Sequence, residues 1–182
     1  MDKDGWYYNM ATIISGSSGG TAVTTATQKI LQVVQSVKTD TASVGGGTFA
    51  DIGLSASITP SSSSSKILVQ VQANTGGSAG FSMKTRLMRD STAIHIGDAA
   101  GSRPRASTEN TGTYESTTNY NSFPVSIIFL DSPSTTSAVT YKVQYASYGS
   151  FYVYINRSGS DLNTSEYEAR TASSITLMEV AS

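Results

Sequence analysis

The sequence has no cysteine and a single histidine, His95, which removes most of the usual chemistry of catalytic and metal sites. Without cysteine there is no disulfide and no thiolate ligand, and one isolated histidine cannot complete a typical zinc site. We therefore expect no metal, no cofactor and no enzymatic activity. The composition favours a structural or binding protein.

Charge is scarce as well, because 14% of the residues are charged and the formal net charge is −1. A nearly neutral chain lacks the basic surface that nucleic acids and anionic membranes attract. No apolar stretch approaches the ~20 residues of a membrane span. Residues 1–8 include acids where a signal peptide is basic, and no long apolar run follows. We expect a chain made in a cytoplasm that binds neither nucleic acid nor membrane.

Hydrophobic residues make up 38% of the chain, and many of them alternate with serine and threonine. Leu54, Ala56 and Ile58, for example, fall on one side of an extended segment and hydroxyls on the other. No segment has a sustained helical period. The pattern predicts an all-β, antiparallel two-sheet sandwich with a jelly-roll-like topology. The predicted strands are 30–37, 54–58, 67–73, 81–89, 93–96, 125–130, 139–145, 151–157 and 175–180.

Two of the connections look like hairpins. Strands 54–58 and 67–73 are joined by Pro60 and the serine run 61–65, and strands 81–89 and 93–96 by a short polar turn. The segment 98–122 has no hydrophobic periodicity, and loops of that length in compact domains are usually functional or disordered. Its candidate exposed contacts are Arg103, Arg105, Tyr114 and Tyr120.

The N-terminal residues 1–28 differ from the rest and predict an extended arm before a head domain, 29–182. Trp6, Tyr7 and Tyr8 cluster near the start, Ile13 and Ile14 belong to a short stretch that could form an edge strand, and a Gly/Ser linker follows. Exposed aromatics are a liability in a soluble monomer, so we expect these five residues to dock on another protein. The alternative for the three aromatics is that they fold back on their own head or form a disordered leader before Met10.

Two groups of head residues predict a subunit interface. The run 125–130 is apolar on both faces, with Ile128 and Leu130 opposite to Ile127, which favours the middle of the protein or a subunit contact. Tyr145, Tyr152 and Tyr154 form the second group. The tyrosines fit a subunit interface, an ordinary solvent-exposed tyrosine face or a sugar-stacking platform.

Three patterns could carry catalysis, and none is convincing. The stretch 16–20 matches a nucleophile elbow, but the β-branched residues after it are poor openers of the helix that this motif needs. Glu166 and Glu168 are spaced for one side of a strand, but exposed acids beside a turn are far commoner than a glycosidase pair. His95, between two isoleucines, is expected to be an ordinary strand histidine.

An ordered series of short motifs resembles a module of virion structural and tail-fibre-like proteins of tailed bacteriophages, many from phages of cyanobacteria. The motifs span much of the region 30–182: Lys66-Ile67-Leu68-Val69, Arg89-Asp90-Ser91-Thr92, Ile96-Gly97-Asp98, Gly101-Ser102-Arg103, Phe129-Leu130-Asp131-Ser132-Pro133, Thr140-Tyr141-Lys142-Val143-Gln144, Tyr154-Ile155-Asn156-Arg157-Ser158 and Ser174-Ile175-Thr176-Leu177-Met178-Glu179-Val180. The resemblance implies a β-sandwich head that assembles as a homotrimer on the virion surface, without catalytic residues.

The arm helps to choose among virion roles. The chain has no shaft of repeats, and 28 extended residues reach at most ~100 Å. This favours a capsid decoration (cement or head-fibre) protein docked on a major capsid or tail protein. A tail-fibre, receptor-binding knob for a host surface glycan is the alternative, and a carbohydrate-binding module or minor glycan hydrolase is the candidate from another class.

Overall fold

The computed structural model describes residues 29–77, 82–111, 120, 122–164, 166 and 168–182, and all the regular structure in them is β-strand. The predicted all-β class is confirmed. In chain order the strands are β1 (Ile30–Lys38), β2 (Ala42–Gly45), β3 (Ala50–Ile58), β4 (Lys66–Gly77), β5 (Ser82–Arg89), β6 (Thr92–Ile94), β7 (Thr108–Thr111), β8 (Ser122–Asp131), β9 (Val139–Ala146), β10 (Tyr152–Ile155) and β11 (Ser173–Val180).

The first sheet has the order β1–β11–β4–β8 and is antiparallel throughout. At the C-terminal end of β4, β10 replaces β11 as the strand that pairs with β4, and β2 pairs with the other side of β10. The pairs β1/β2 and β10/β11 are therefore each one long strand with an interruption.

The second sheet has the order β3–β9–β5, and both β6 and β7 pair with the free side of β5. Each interrupted pair can be taken as one strand. With β6 and β7 also counted as one strand, eight strands remain, and they follow the chain order of a jelly roll with two Greek keys, in which β5 and β6/β7 are successive strands of the same sheet. The predicted two-sheet antiparallel sandwich with this topology is confirmed.

The core lies between the sheets and is built by the alternation that the sequence shows. Val69 and Val71 of β4 and Ile175 and Leu177 of β11 are buried from the first sheet, and they face residues of the second sheet such as Leu87. The polar residues between them point outward, as the two-residue period of a strand requires. Removing this apolar surface from water is the main stabilising contribution to the fold.

The predicted hairpin between 54–58 and 67–73 is wrong. β3 pairs with β9 in the second sheet, whereas β4 pairs with β11 and β8 in the first. The connection through Pro60 and Ser61–Ser65 crosses from one sheet to the other, so both strands bury their apolar side in the same core. The second hairpin is confirmed, because Leu87 of β5 pairs with Ile94 of β6.

Two local predictions around the second sheet need correction. His95 is not a strand residue, because β6 ends at Ile94 and His95 has a positive φ of 51°. The segment 98–122 is not free of regular structure, since β7 lies within it and pairs with β5. The run 125–130, predicted for the middle of the protein or a subunit contact, belongs to β8, which has β4 as its sheet partner among the described residues and so lies at an edge of the first sheet; the subunit contact stays a prediction.

A buried asparagine organises the interruptions of the first sheet. Asn156, at a positive φ of 61°, follows β10 and donates from Nδ2 to the carbonyl oxygens of Lys38 (2.8 Å) and Asp40 (2.9 Å), where β1 ends. Its Oδ1 accepts a hydrogen bond from Ser173, the first residue of β11 (2.6 Å). One side chain thus satisfies two backbone carbonyls at the break in the first long strand and the Ser173 hydroxyl at the break in the second.

A buried carboxylate closes the opposite end of that sheet. Glu179 of β11 accepts hydrogen bonds from the amide (2.7 Å) and hydroxyl of Ser61 and from Nε2 of Gln32 (2.6 Å). Burial by itself raises the pKa of this carboxyl, but the donors outweigh it and hold the pKa at about 2. Glu179 therefore stays ionised and fastens the β3–β4 crossover to the first sheet.

Candidate functional site

The residues that suggested catalysis do not form an active site among the described residues. Glu168 accepts a hydrogen bond from Ser158, whereas Glu166 is exposed. His95 is exposed too, and its ring packs 4.8 Å from that of Phe129. In the described part of the chain no group of three or more His, Asp or Glu side chains is arranged to hold a metal ion.

One polar pocket of about 280 Å³ lies in the loop between β10 and β11. Three of its four charged groups pair with one another, because Asp161 lies 3.6 Å from Arg157 and 2.5 Å from Arg170, whereas the fourth, Glu168, accepts a hydrogen bond from Ser158. Sequence reasoning did not find this pocket, and the spacing of Arg157 and Asp161 was the one available sign of an ion pair.

The outer face of the first sheet is the most unusual surface of the described chain. Strand register places one apolar residue from each strand side by side, in the order Val33, Met178, Leu68, Leu130. We call these four residues the apolar row. Val33 is 58% exposed and Leu130 43%, whereas Leu68 and Met178 in the middle are half-buried by their neighbours.

More aliphatic side chains surround the apolar row on the same face. Ile128 of β8 is 63% exposed, and Ile30, Leu31 and Val37 of β1 are exposed as well. We call these four residues together with the apolar row the apolar face. A contiguous apolar surface of this kind is uncommon on a monomer and usually marks an interaction site.

The polar residues of this face are uncharged apart from a lysine. Gln35, Thr176 and Gln70 lie in the row beside Ile128, and Gln35 donates to the hydroxyl of Thr176 (2.9 Å). Among the outward-facing residues of β1, β4, β8 and β11, Lys66 is the one charged side chain, and there is no carboxylate. Little ionic desolvation would oppose burial of this surface.

The tyrosine pair lies at the other end of the same sheet. Tyr152 and Tyr154 of β10 have ring centroids 6.2 Å apart and tilted by 21°, and the guanidinium of Arg157 covers the Tyr154 ring at 4.0 Å. Tyr152 lies flat on Gly45, where a Cβ atom would come within 2.6 Å of the ring. Gly45 therefore provides the space for an exposed aromatic plane.

The predicted interface residues are thus divided by the structure. Ile128 and Leu130 lie together on the apolar face, but Tyr154 is opposite Gly76 on the sheet, ~20 Å along β4 from the neighbour of Ile128. Tyr145 is wrong as a surface residue, because it is completely buried on the inner side of β9. Its spacing from Tyr141 and Val143, which are also buried, was the signal that could have placed it in the core.

Sequence reasoning missed the remaining members of the apolar row. Val33, Leu68 and Met178 each adjoin an inward apolar residue in sequence, just as Ile128 adjoins Ile127. Consecutive apolar residues in a strand indicate that both faces are apolar, so the signal was present in β1, β4 and β11 too.

The other predicted contact residues are scattered or lie outside the described residues. Arg105 donates from Nε to the carbonyl oxygen of Gly97 (2.6 Å), and Arg103 is exposed in the same loop. Tyr120 is half-buried beside β8. Outside the described residues lie Tyr114, the predicted edge strand 11–14 and the arm residues Trp6, Tyr7, Tyr8, Ile13 and Ile14.

The outer face of the second sheet is charged and internally paired. Lys142 lies 2.7 Å from Asp51, which also accepts a hydrogen bond from Gln144 (2.8 Å). The bond from Lys142 lowers the pKa of the Asp51 carboxyl. The hydroxyls of Ser57 and Thr140 are 2.8 Å apart in the same face. This is the ordinary surface of a solvated antiparallel sheet.

No family model matches the sequence, and no match was found among curated proteins. Similar solved structures include infectious bursal disease virus, Gx strain, with 12% identity and a TM-score of 0.40, and the VP2 subviral particle of the same virus, with 10% and 0.35. Each match covers 82% of this chain, which spans 40% and 38% of those chains. Both scores are low, and neither similarity supports a statement about function. Within the described residues no helix is long and apolar enough to cross a membrane.

Proposed function

We propose that this chain is a non-enzymatic structural protein of a tailed-phage virion. Its head would be a trimeric jelly roll on the particle surface, most simply a capsid decoration, cement or head-fibre protein. The observation that carries this proposal is the apolar face, which is uncharged except for Lys66 and suits permanent contact with protein. The motif series that resembles phage virion proteins supplies the particle context.

The arm is the proposed anchor to the particle. Trp6, Tyr7 and Tyr8 belong to no predicted head strand, and a Gly/Ser segment separates them from the head. Large aromatic side chains that fill pockets are frequent anchors of protein interfaces, worth ~2 kcal/mol or more each. The docking partner would be a major capsid protein or a tail protein.

Deletion of residues 1–20 tests the anchor. We expect the truncated protein to keep the fold and the oligomeric mass of the full chain but to lose co-sedimentation with purified particles. Circular dichroism and light scattering provide the controls for fold and assembly. Binding equal to that of the full chain would show that attachment does not need the arm.

Quantitative mass spectrometry of the particles separates the two virion positions. A copy number on the scale of the capsid subunits indicates decoration, whereas a copy number on the scale of a tail structure indicates a fibre or tail position.

Glycan binding is the second candidate function, and the flat tyrosine pair favours it. Tyr152 is 49% exposed, and the polar pocket begins at Arg157, which covers its partner Tyr154. An aromatic plane beside convergent polar groups is a common design of small-ligand sites. A glycan array with the full chain tests it, with Tyr152→Ala as the matched variant. A sugar class bound by the full chain and lost in the variant would support the receptor-binding role.

A further inference from the structure

The apolar face extends across the whole first sheet and reaches both of its long sides. Ile30, Leu31, Val33 and Val37 line the β1 side, and Ile128 and Leu130 line the β8 side. Leu68 and Met178 join the two sides through the apolar row. We call the four residues on the β1 side the β1 margin and the two on the β8 side the β8 margin; Leu68 and Met178 lie between the two margins.

Both margins are also sheet edges. Among the described residues β1 has β11 as its sheet partner and β8 has β4, so each leaves one side without a ladder. Natural proteins usually protect such edges with charged residues, prolines or a covering element. β8 has one such residue, Pro124 near its start, but the exposed aliphatic side chains on both edge strands are the opposite of that protection, which indicates that the edges are covered in the working protein.

The scarcity of charge on the face favours a second copy of this chain as the cover. A partner with a charged surface would lose the hydration of its ions without finding counterions, because the outward-facing residues of the four main strands include Lys66 and no carboxylate. A second copy brings the same nearly uncharged surface.

We infer that copies of this chain associate through the first sheet's outer face, with the β8 margin of one copy against the β1 margin of the next. This rests on the trimer of the proposed function and specifies its contact. A closed ring other than a twofold dimer needs two different surfaces that fit each other. The two apolar margins meet that need, and they leave the charged outer face of the second sheet toward solvent.

Single charged substitutions on each margin test the contact in the full chain. Val33→Asp on β1 and Leu130→Asp on β8 place a carboxylate where the contact would be dry, and both positions are exposed in the isolated chain. We expect the fold to persist by circular dichroism and the dissociation constant of the oligomer to rise at least ~tenfold. Light scattering should then show mass near 19.1 kDa at concentrations where the unmodified chain is oligomeric.

The matched control is Ser57→Asp, which adds the same charge to the outer face of the second sheet and should leave the oligomer unchanged. The double variant Val33→Glu/Leu130→Lys tests the pairing of the margins, because opposite charges meet there only if β1 of one copy faces β8 of another. It should recover part of the assembly that Val33→Glu and Leu130→Lys each lose when made alone.

Three results would overturn the inference: an unmodified chain that is monomeric at tens of micromolar, single variants that keep the full oligomeric mass, or a double variant as dissociated as the singles. Particle co-sedimentation separates this from the proposed function. If a monomeric variant with an intact arm still binds particles, the arm remains supported as the anchor to the particle. If the arm deletion stays oligomeric but does not bind particles, the proposed contact between copies remains supported.

Discussion

The two sheets turn different surfaces outward, although both bury an equally apolar inner surface. The second sheet exposes lysines, acids and hydroxyls that pair with one another, such as Lys142 with Asp51. The first exposes aliphatic side chains, glutamines and no carboxylate. One sandwich thus has a face suited to water and a face suited to protein, and strand alternation alone accounts for the first but not for the second.

The strongest test of this difference lies on a single strand. Ile127 and Ile128 of β8 are neighbours in sequence, but they are 2% and 63% exposed. Ile127→Asp buries a carboxylate without a partner, at a cost of several kcal/mol against a total stability of ~5–15 kcal/mol, so we expect no folded protein. Ile128→Asp should change the unfolding free energy of the monomer by about 0.5 kcal/mol or less. Urea unfolding followed by circular dichroism measures both, and equal destabilisation would contradict the assignment of the two faces.

A smaller effect is expected where the two sheets are tied together. Asp131, at the end of β8, accepts hydrogen bonds from Arg89 (3.0 Å) and from the buried Tyr141 hydroxyl (2.7 Å) of the second sheet. Asp131→Ala removes the acceptor of the buried Tyr141 hydroxyl and the ion-pair partner of Arg89, and it should lower the unfolding free energy by ~3 kcal/mol.

Asp51→Ala is the matched change on the outer face of the second sheet. It breaks an exposed pair and should cost about 1 kcal/mol or less, and less still at high salt. If Asp131→Ala lowers the unfolding free energy no more than Asp51→Ala does, the hydrogen bonds of Asp131 with Arg89 and Tyr141 do not act as buried interactions.

Glu179→Gln should give an effect smaller than that of Asp131→Ala, and one that depends on pH. Its pKa is about 2 in the folded chain against an ordinary 4.5, so its contribution is complete above pH 4.5 and is lost as the pH falls toward 2. At pH 7 Glu179→Gln should lower the unfolding free energy by ~1–3 kcal/mol, and the unfolding free energy of the variant should fall less steeply between pH 4.5 and 2.5. The measurement is urea unfolding at several pH values between 7 and 2.5. The second-sheet variant Asp51→Asn should follow the unmodified chain closely, because that carboxylate is half-exposed. If the unfolding free energy of Glu179→Gln falls at low pH as steeply as that of the unmodified chain, other carboxyls control the acid dependence.

Much of the secondary structure could be predicted because strand alternation is a local property. Leu54, Ala56 and Ile58 alternate with hydroxyls in sequence and are buried in the structure. The pairing of strands could not be predicted in the same way. β3 and β4 both bury an apolar side, and a period of two residues does not say against which sheet they lie, so the expected hairpin between them was wrong.

The residues of the candidate site were also predictable only where the signal is local to one strand. Ile128 and Leu130 were predictable because both faces of one strand are visibly apolar in sequence. The apolar row was not, because Leu68 and Met178 are far apart in the chain and become neighbours through the register of β4 with β11. Tyr145 was misplaced because an aromatic side chain suits a core and an interface equally well, and its burial depends on the sheet above it.

The sequence by itself determined an all-β chain with few charges, no disulfide and strands whose inner and outer residues can be told apart. Those properties follow from composition and from the alternation of side chains along each strand. The tertiary structure decided which outer residues come together. Hydrogen-bonded register aligns four distant strands to within a residue, and it is this alignment that turns separate aliphatic side chains into one continuous surface.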